Sequence, residues 1–453
     1  MDTVMKATKA LVRFGDDDAG TLEMLASDQF RFTYLPTYIA AQPPKMPISL
    51  SMRVREEPYL CDTLHPFFDN LLFEGEQLRL LERKLHLNRQ SRVDRFKMLM
   101  VSGQQTLSPV RILPYIEGIP LDPNTLGPNQ ELDAPSKQIP LLGAYTSSCP
   151  VCLLENLGKI HKSCTLDLWG TTKPVSMQAF TQDPQNIFKV IHRGQSISGA
   201  QRKALFHLNR RAVLQRFGEP THILKPDGDY PEMPANEHLT MAIAKHLKFK
   251  VPPAGLFKVD EIGLIYAIRR FDREPNLPCQ PVEDMAQLAT MLAEDKSEGT
   301  MDLVARLIKE HATSGTIEAA EFFRRLVFCF VTGNGDMHLK NWSLYREGSS
   351  GFVKLAPVYD FLNVRASFPQ ERVESILSLN GKQTDLSLAD FTIFADSVLS
   401  LRPKVTEQII GELPRWHGVI KEFAARSALS AERRGRYLAI VEERMIRMHS
   451  PSV

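Results

Sequence analysis

A short polar loop in the C-terminal half of the sequence contains residue types that suit phosphoryl transfer. It reads Gly-Asn-Gly-Asp-Met-His-Leu-Lys-Asn over residues 333–341, and Asp336 precedes Asn341 by five positions. An aspartate can accept the proton of an attacking hydroxyl, and an asparagine can hold a metal ion on nucleotide phosphates. Because protein kinases use this same Asp-x4-Asn spacing, the loop favours phosphotransfer. Taken alone, it is explained equally well as an ordinary Asn/Gly/Asp turn.

A further acidic residue, Asp360, lies 19 positions after Asn341 in the segment Pro-Val-Tyr-Asp-Phe. We expect a strand that ends in this Asp-Phe pair, where kinases place a second metal ligand. Residues 342–345 and 353–355 are expected to pair as a hairpin between the two positions. Asn341 and Asp360, with Asp336 nearby, then offer the oxygen ligands that Mg²⁺ prefers.

A lysine and a glutamate upstream have the spacing of a phosphate-positioning pair. Lys225 ends a predicted strand over 221–226, and Glu237 follows 12 positions later near the start of a predicted helix over 236–247. A strand lysine held by a helix glutamate positions phosphates in kinases. Without the 333–341 loop, a surface salt bridge is the better interpretation.

Residues 195–203 form a fourth candidate element, a run of small and basic residues. Ser198 and Gly199 lie in a predicted turn whose backbone N–H groups can face phosphates. The run contains neither a GxGxxG loop nor a Walker A sequence, so it is a weak signal by itself.

Three cysteines and a histidine form a possible zinc site with the spacing Cys-x2-Cys-x8-His-x2-Cys; they are Cys149, Cys152, His161 and Cys164. A turn and a helix start can place such ligands tetrahedrally around Zn²⁺. The x8 separation is short for a zinc finger, and a knuckle that packs without metal is the alternative. Six cysteines in the whole chain are too few for a disulfide scaffold, which favours a reducing, cytoplasmic setting.

The composition excludes several other classes of protein. The 453 residues are 43% hydrophobic and 24% charged, as is usual for globular proteins. The net charge of only +2 gives no overall electrostatic footprint for nucleic acid. No apolar run approaches the roughly 20 residues that cross a bilayer, and the N-terminus does not resemble a signal peptide. We therefore expect no membrane association.

Strand and helix patterns predict an α+β protein in which a strand-rich lobe precedes a helical one. Residues 1–115 form a small α/β subdomain, and the recurring prolines of 116–148 indicate a linker. A strand-rich lobe spans 149–285, and a helical lobe spans 286–453. The linker is the clearest predicted domain boundary.

Apolar periodicity predicts the main helices. One helical stretch runs from Pro66 to about Leu87, and an amphipathic helix begins at Met301. Thr316 is a candidate N-cap for the following helix. That helix is expected to bury five apolar residues, namely Phe322, Phe323, Leu326, Val327 and Phe330. The last helix is expected to bury Leu438, Ile440, Val441, Met445 and Ile446.

Several short motifs occur together in one order along the chain. They are Ser-Ile-Ser-Gly-Ala-Gln-x-Lys (196–203), Ile-Leu-Lys-Pro (223–226), Asn-Glu (236–237), Arg-Phe-Asp-Arg (270–273), Glu-Asp-Met-x-Gln (283–287), Gly-Asp-Met-His-Leu-Lys-Asn (335–341) and Pro-Val-Tyr-Asp (357–360). From about residue 9 to the C-terminus, the chain resembles the HipA family of bacterial serine/threonine kinases. These are the toxins of HipBA-type toxin–antitoxin systems.

The resemblance extends to both branches of that family. Residues 67–72 resemble its amino-terminal subdomain, which is the separate protein HipS in tripartite systems. The cysteine knuckle, followed by Leu-Trp-Gly at 168–170, resembles the start of HipT-type kinases, and the Ser-x-Ser loop and Arg269-Arg270 also favour HipT. The resemblance implies a bilobal protein-kinase-like α+β fold preceded by a HipS-like subdomain.

The resemblance also implies roles for individual residues. Asp336 would be the catalytic base, and Asn341 and Asp360 would bind Mg²⁺. Lys225 would contact the ATP phosphates, and Glu237 would orient it. Further contacts to ATP are implied for Ser198, Gly199, Gln201, Lys203, Arg269, Phe271 and His338, with 268–271 as the hinge at the adenine. Ser196 and Ser198 would be autophosphorylated, and a phosphoserine there is expected to repel ATP phosphates and weaken ATP binding.

The implied function is that of a toxin that phosphorylates a protein. The family's targets are aminoacyl-tRNA synthetases, so a synthetase for glutamate or tryptophan is the expected substrate. A HipB-like helix-turn-helix antitoxin would be the partner and would supply the contacts to DNA. Two alternatives are a small-molecule kinase resembling aminoglycoside phosphotransferases and a catalytically idle module that binds a DNA-binding antitoxin.

Overall fold

The structure is a computed structural model. It describes residues 6–26, 29–72, 75–104, 106, 108–116, 119–120, 136–180, 183–188, 202–216, 218–228, 230–273 and 279–449. The chain forms two compact units, one comprising 1–135, 189–201 and 272–296 and the other comprising 136–188, 202–271 and 297–453. Among the described residues, no helix has both the length and the apolar composition to cross a membrane.

The first unit is built on an antiparallel sheet of six strands. In chain order these are β1 (Lys9–Phe14), β2 (Asp17–Met24), β3 (Phe30–Tyr34), β4 (Tyr59–Cys61), β5 (Val110–Ile116) and β6 (Ile119–Pro120), and the spatial order is β4-β3-β2-β1-β5-β6. Its helices are α1 (Pro36–Ile39), α2 (Pro66–Asp69), α3 (Gly75–Leu85) and α4 (Arg92–Ser102). A strand at Val282–Asp284 and one helical turn at Met285–Leu288 belong to the same unit. Alternation along β3 buries Phe30 and Phe32 against Phe68 and Phe96.

The second unit begins with an eight-stranded sheet. Its strands are β7 (Ser136–Pro140), β8 (Leu142–Gly143), β9 (Ser176–Phe180), β10 (Ala204–Leu208), β11 (Val213–Gln215), β12 (His222–Pro226), β13 (Ala254–Val259) and β14 (Gly263–Arg269), in the spatial order β7-β9-β11-β10-β12-β14-β13-β8. Helices α5 (Lys162–Trp169) and α6 (Met233–His246) complete this strand-rich lobe. Twelve residues of α6 are buried, because the helix packs both on β13 and β14 and on helices of the rest of the unit.

The helical part of the second unit follows in the sequence. Its helices are α7 (Met301–His311), α8 (Gly315–Val331), α9 (Val364–Ser367), α10 (Leu388–Ile393), α11 (Pro403–Ile410), α12 (Leu413–Arg426) and α13 (Ala431–Arg447). A hairpin of β15 (Ser343–Glu347) and β16 (Phe352–Leu355) lies between α8 and α9, which confirms the predicted hairpin. The five apolar side chains expected to be buried on α8 are buried.

Four local predictions are wrong, each for a physical reason. The stretch from Pro66 does not run as one helix to Leu87, since α2 ends at Asp69 and α3 begins at Gly75. Thr316 is not the N-cap of α8, because the helix begins one residue earlier at Gly315 and Ser314 takes the cap position. Asp360 does not end a strand, because β16 stops at Leu355 and the chain continues in irregular form.

The fourth correction concerns α13. Ile446 is 65% exposed, whereas Arg444 is 2% exposed. Arg444 is buried because its guanidinium forms an ion pair with the carboxylate of Glu374. Tyr437 and Met448 are also buried, whereas Leu438, which was expected to be buried, is only half-buried.

Candidate active site

A buried lysine joins strand β12 to helix α6. Lys225 lies near the end of β12, and its Nζ donates to both carboxylate oxygens of Glu237, at 2.7 and 2.8 Å. The two residues are 4% and 1% exposed. Glu237 lies in the first half of α6, which begins at Met233 with Pro234 in its first turn. Proline suits this place because its missing N–H has no helical partner there.

A second carboxylate reaches the same lysine. Asp360 also forms an ion pair with Lys225. Burial lowers the pKa of Lys225, but the charges of Asp360 and Glu237 outweigh burial, so its pKa lies above the usual value. Burial raises the pKa of Asp360, but the charges of Lys225 and then Lys203 bring its pKa well below the usual range. Burial raises the pKa of Glu237 to about 7, although Lys225 opposes this shift.

The polar loop after α8 has the conformation of a compact turn. Gly333 has a φ of +70°, and a Cβ on it would lie 2.7 Å from Oδ1 of Asn363. The His338 N–H donates to the carbonyl oxygen of Asp336 at 2.9 Å, and the Asn341 N–H donates to that of His338 at 2.9 Å. The loop residues around Asp336 are buried, but Asp336 itself is exposed. Its carboxylate is therefore accessible to a substrate hydroxyl.

The loop is joined to the segment that contains Asp360. The side-chain amide of Asn334 donates to the carbonyl oxygen of Asp360 at 3.2 Å. The Tyr359 hydroxyl donates to the carbonyl oxygen of Lys340 at 3.0 Å. Asp360 has a φ of +54°, an unfavourable conformation for a residue other than glycine. These contacts hold that conformation and bring Asp360 to the loop.

The oxygen atoms here suit a Mg²⁺ ion. Nδ2 of Asn341 donates to the carbonyl oxygen of Asp336 at 3.0 Å, so its amide oxygen is the atom left for a cation. The carboxylate of Asp360 supplies oxygen ligands of the kind that Mg²⁺ prefers. Oδ1 of Asn334 is buried and has no hydrogen-bond partner within the described part of the chain. It can accept from a water molecule of a hydrated ion.

Two contributing residues were missed by the sequence interpretation. Asn334 was placed in the loop without a role, although its position between two glycines was a signal. Asn236 was quoted only as part of a motif, yet its Nδ2 donates to the carbonyl oxygen of Asn363 at 2.8 Å and its Oδ1 accepts from the Asn363 N–H at 2.9 Å. Asn236 thus fixes α6, and with it Glu237, against the start of α9.

The remaining candidates for ATP binding are placed in different surroundings. Lys203 and His338 are both buried, at 8% and 6% exposure, and His338 lies in the polar loop two residues after Asp336. Lys203, after Lys225, lowers the pKa of Asp360 through its charge. The ring of Phe271 lies near those of Tyr345 and Tyr359, at centroid distances of 5.9 and 6.5 Å. Arg269 instead donates through Nη1 to the carbonyl oxygen of Asp167 at 2.8 Å, so its guanidinium contacts α5. Ser196, Ser198, Gly199 and Gln201 lie outside the described residues.

The four predicted zinc ligands lie together in the second unit. The candidate ligand atoms of Cys149, Cys152, His161 and Cys164 all lie within 4.8 Å of one another. Sγ of Cys152 and Nδ1 of His161 are 3.4 Å apart. Two of the four residues come from a turn, and the other two come from the start of α5.

Two family models match this chain. Residues 10–113 match the HipA N-terminal domain, and residues 195–417 match the HipA-like C-terminal domain. The first match falls within the first unit, and the second contains the site residues from Lys225 to Asp360.

Curated relatives match part of the chain. A Haemophilus influenzae protein provisionally named a kinase is 30% identical over 220 residues, which are 46% of this chain and 62% of that protein. A Sinorhizobium fredii protein with a similar name is 30% identical over 241 residues, which are 50% of this chain and 56% of that protein. The chain thus spans about three fifths of the length of these relatives.

A solved structure shares the fold. It is the HipA chain of a toxin–antitoxin complex of HipA, HipB and operator DNA from Shewanella oneidensis. The match has a TM-score of 0.67 and 17% identity and covers 97% of this chain and 96% of that one. The predicted α+β fold of the kinase-like type is confirmed.

Proposed function

The chain belongs to the HipA family, and from this premise we propose that it is a kinase that transfers the γ-phosphoryl group of ATP to a hydroxyl group of a protein. The observation that carries the proposal is the buried Lys225, which is held by Glu237 and Asp360. A fully buried lysine between two carboxylates is poised to exchange one carboxylate for nucleotide phosphates. The exposed Asp336 lies on the adjoining loop.

Each side chain has a distinct part in this proposal. Glu237 holds Lys225 in place while Nζ contacts the ATP phosphates. Asp336 accepts the proton of the attacking hydroxyl, and its exposure allows a protein substrate to reach it. Asn341 and Asp360 would hold Mg²⁺, and the Asn334 amide fixes the backbone of Asp360. The bound ion would neutralise charge on the phosphates during transfer.

The biological setting belongs to the same proposal. The chain acts in the cytoplasm as the toxin of a toxin–antitoxin pair, and a HipB-like helix-turn-helix protein is its antitoxin. The HipB and operator DNA in the solved HipA complex support this partner. The substrate is a hydroxyl of an aminoacyl-tRNA synthetase, with those for glutamate and tryptophan first, and Ser196 and Ser198 are the sites of self-modification.

The test is phosphotransfer by the purified full chain. Incubation with radiolabelled ATP, Mg²⁺ and candidate synthetases is expected to label a synthetase or the chain itself. Asp336→Asn should lower the rate about 10²–10⁴-fold, the usual contribution of a general base. Asp396→Asn replaces an exposed acid outside the site and should leave the rate unchanged.

Two outcomes would contradict the proposal. Absence of label on every protein, including the chain itself, would remove the kinase assignment. Growth arrest that persists in the Asp336→Asn variant would favour the alternative of a binding module.

A further inference from the structure

A cluster of three cysteines and a histidine lies in the strand-rich lobe and takes no part in the proposed chemistry. The four ligand atoms, from Cys149, Cys152, His161 and Cys164, are within 4.8 Å of one another. Zinc bonds of about 2.3 Å to sulfur and about 2.0 Å to nitrogen place tetrahedral ligand atoms roughly 3.5–3.8 Å apart. The separation of 3.4 Å between Cys152 Sγ and His161 Nδ1 is already close to this value.

The backbone around the cluster is preorganised. The Cys149 N–H donates to the carbonyl oxygen of Leu154 at 2.8 Å, and the Leu153 N–H donates back to that of Cys149 at 3.0 Å. These bonds close a tight turn that carries Cys149 and Cys152. His161 is the N-cap residue of α5, and Cys164 lies in its first turn, so both come from the start of one helix.

Neither disulfide bonding nor packing alone accounts for this cluster. None of the six cysteines, all of which lie in described parts of the chain, is in a disulfide. Thiols are weak hydrogen-bond partners, so packing gives little reason for three of them to converge on one imidazole. We propose that the cluster binds one Zn²⁺ through all four side chains and that the metal is structural. Four protein ligands leave no open coordination position for catalysis.

The turn of the cluster contacts strand β13, which lies in the same sheet as the strand of Lys225, and helix α6, which carries Glu237. The carbonyl oxygen of Pro150 accepts from the Leu256 N–H on β13 at 2.8 Å. The carbonyl oxygen of Val151 accepts from Nε2 of His238 at 3.4 Å. His238 follows Glu237 directly on α6, and the Tyr145 hydroxyl donates to its other ring nitrogen at 2.7 Å.

Helix α5 makes a second set of contacts. The carbonyl oxygen of Leu168 accepts from Nε2 of His222 at 2.8 Å. His222 lies on β12, three residues before Lys225. The carbonyl oxygen of Asp167 accepts from Arg269 at the end of β14. Zinc would join the turn to α5 and thereby stabilise the positions of α6 and β12. This consequence for the site rests on the proposed function, but the presence of the metal does not.

The first experiment measures metal in the purified, reduced full chain. We expect close to one zinc per chain by elemental analysis, and Co²⁺ exchanged into the site should give thiolate charge-transfer absorption. Cys152→Ser and His161→Ala, at half-buried positions, should lose most of the metal. Cys61→Ser is the control, because Cys61 is half-buried in the first unit and outside the cluster.

A conservative variant keeps the test decisive if a substitution impairs folding. His161→Cys creates a four-cysteine set, which also binds zinc, and should retain one zinc per chain. A chain that neither contains zinc nor binds added Zn²⁺ or Co²⁺ when reduced would overturn the proposal. Full metal content in Cys152→Ser and His161→Ala would overturn it as well.

The structural role is tested without any measurement of phosphotransfer. Removal of zinc by a chelator should speed amide hydrogen exchange in α5 and α6, while exchange in α4 of the first unit should stay the same. Unchanged exchange in α5 and α6 after complete removal of zinc would overturn the structural role.

Discussion

Lys225 is the shared ion-pair partner of two carboxylates, so its replacement tests how much this buried group stabilises the chain. Lys225→Met leaves Glu237 and Asp360 without their shared cation, whereas Glu237→Gln leaves Lys225 paired with Asp360. Breaking a buried ion pair costs about 3–5 kcal/mol, because an uncompensated charge stays in the interior. We expect Lys225→Met to lower the free energy of unfolding by an amount in this range and Glu237→Gln to lower it by less. Urea unfolding of the full chain measures both.

The control is a lysine on helix α6. Lys245 is more exposed and lies 3.9 Å from a carboxylate oxygen of Asp167, so Lys245→Met should change stability by about 0.5 kcal/mol or less. Equal destabilisation by Lys225→Met and Lys245→Met would show that the buried ion pair contributes no more to the free energy of unfolding than an exposed one. ATP binding should weaken in Lys225→Met and in Glu237→Gln but not in Lys245→Met.

At the scale of elements, the turn that joins α8 to the polar loop over 333–341 depends on a glycine. A Cβ on Gly333 would lie 2.7 Å from Oδ1 of Asn363 and 2.8 Å from Cγ2 of Ile440. Gly381 has a similar φ of +78°, but a Cβ there would meet nothing within 4 Å. Gly381→Ala therefore carries only the cost of the left-handed conformation, about 1–2 kcal/mol.

Gly333→Ala carries the same conformational cost and adds a steric clash between the new Cβ and the side chain of Asn363. It should therefore destabilise the chain more than Gly381→Ala does. It should also lower phosphotransfer, because Asn363 is bonded to Asn236 next to Glu237. Thermal and urea unfolding of the two variants give the difference directly. Equal stability of the two variants would mean that the loop moves away from Asn363 without cost.

Helix α6 shows how far a sequence pattern predicts an element. The predicted helix over 236–247 is confirmed in type, but it begins three residues earlier, at Met233. The earlier start was not predicted because Pro234 lies within it. Proline usually ends a helix and is tolerated only in the first turn. Asn236 could not be assigned from its type, since its contacts come from α9, more than a hundred residues away in sequence.

At the scale of the whole chain, the sequence predicted the order of elements better than the burial of charges. The strand-rich and helical parts follow from local apolar periodicity, which needs no knowledge of distant residues. Burial of Arg444 depends on Glu374, 70 positions earlier, and no local pattern reveals that pairing. Lys225, Glu237 and Asp360 could be linked across the sequence because their spacings match those of kinases and because several family motifs occur in one order.

The charge of the whole chain leads to a prediction about DNA. Its 55 basic and 53 acidic side chains nearly cancel. Five arginines are concentrated on α13, and four of them, Arg433, Arg436, Arg444 and Arg447, form ion pairs with carboxylates. Because phosphate contacts dominate DNA affinity, arginines that are already paired with carboxylates have little to offer a duplex.

We therefore expect the isolated full chain to bind duplex DNA weakly at physiological salt, with little dependence of affinity on salt. Each phosphate contact contributes a slope of about −0.9 to log K against log salt, so the slope counts such contacts. Fluorescence anisotropy measures this slope when the salt concentration is varied between about 50 and 200 mM. This range separates strong from weak phosphate binding. The proposed helix-turn-helix antitoxin alone is the matched control, and a complex of it with the chain should show the slope of the antitoxin. A steep slope for the isolated chain would place a DNA-binding surface on the chain itself and contradict an indirect role.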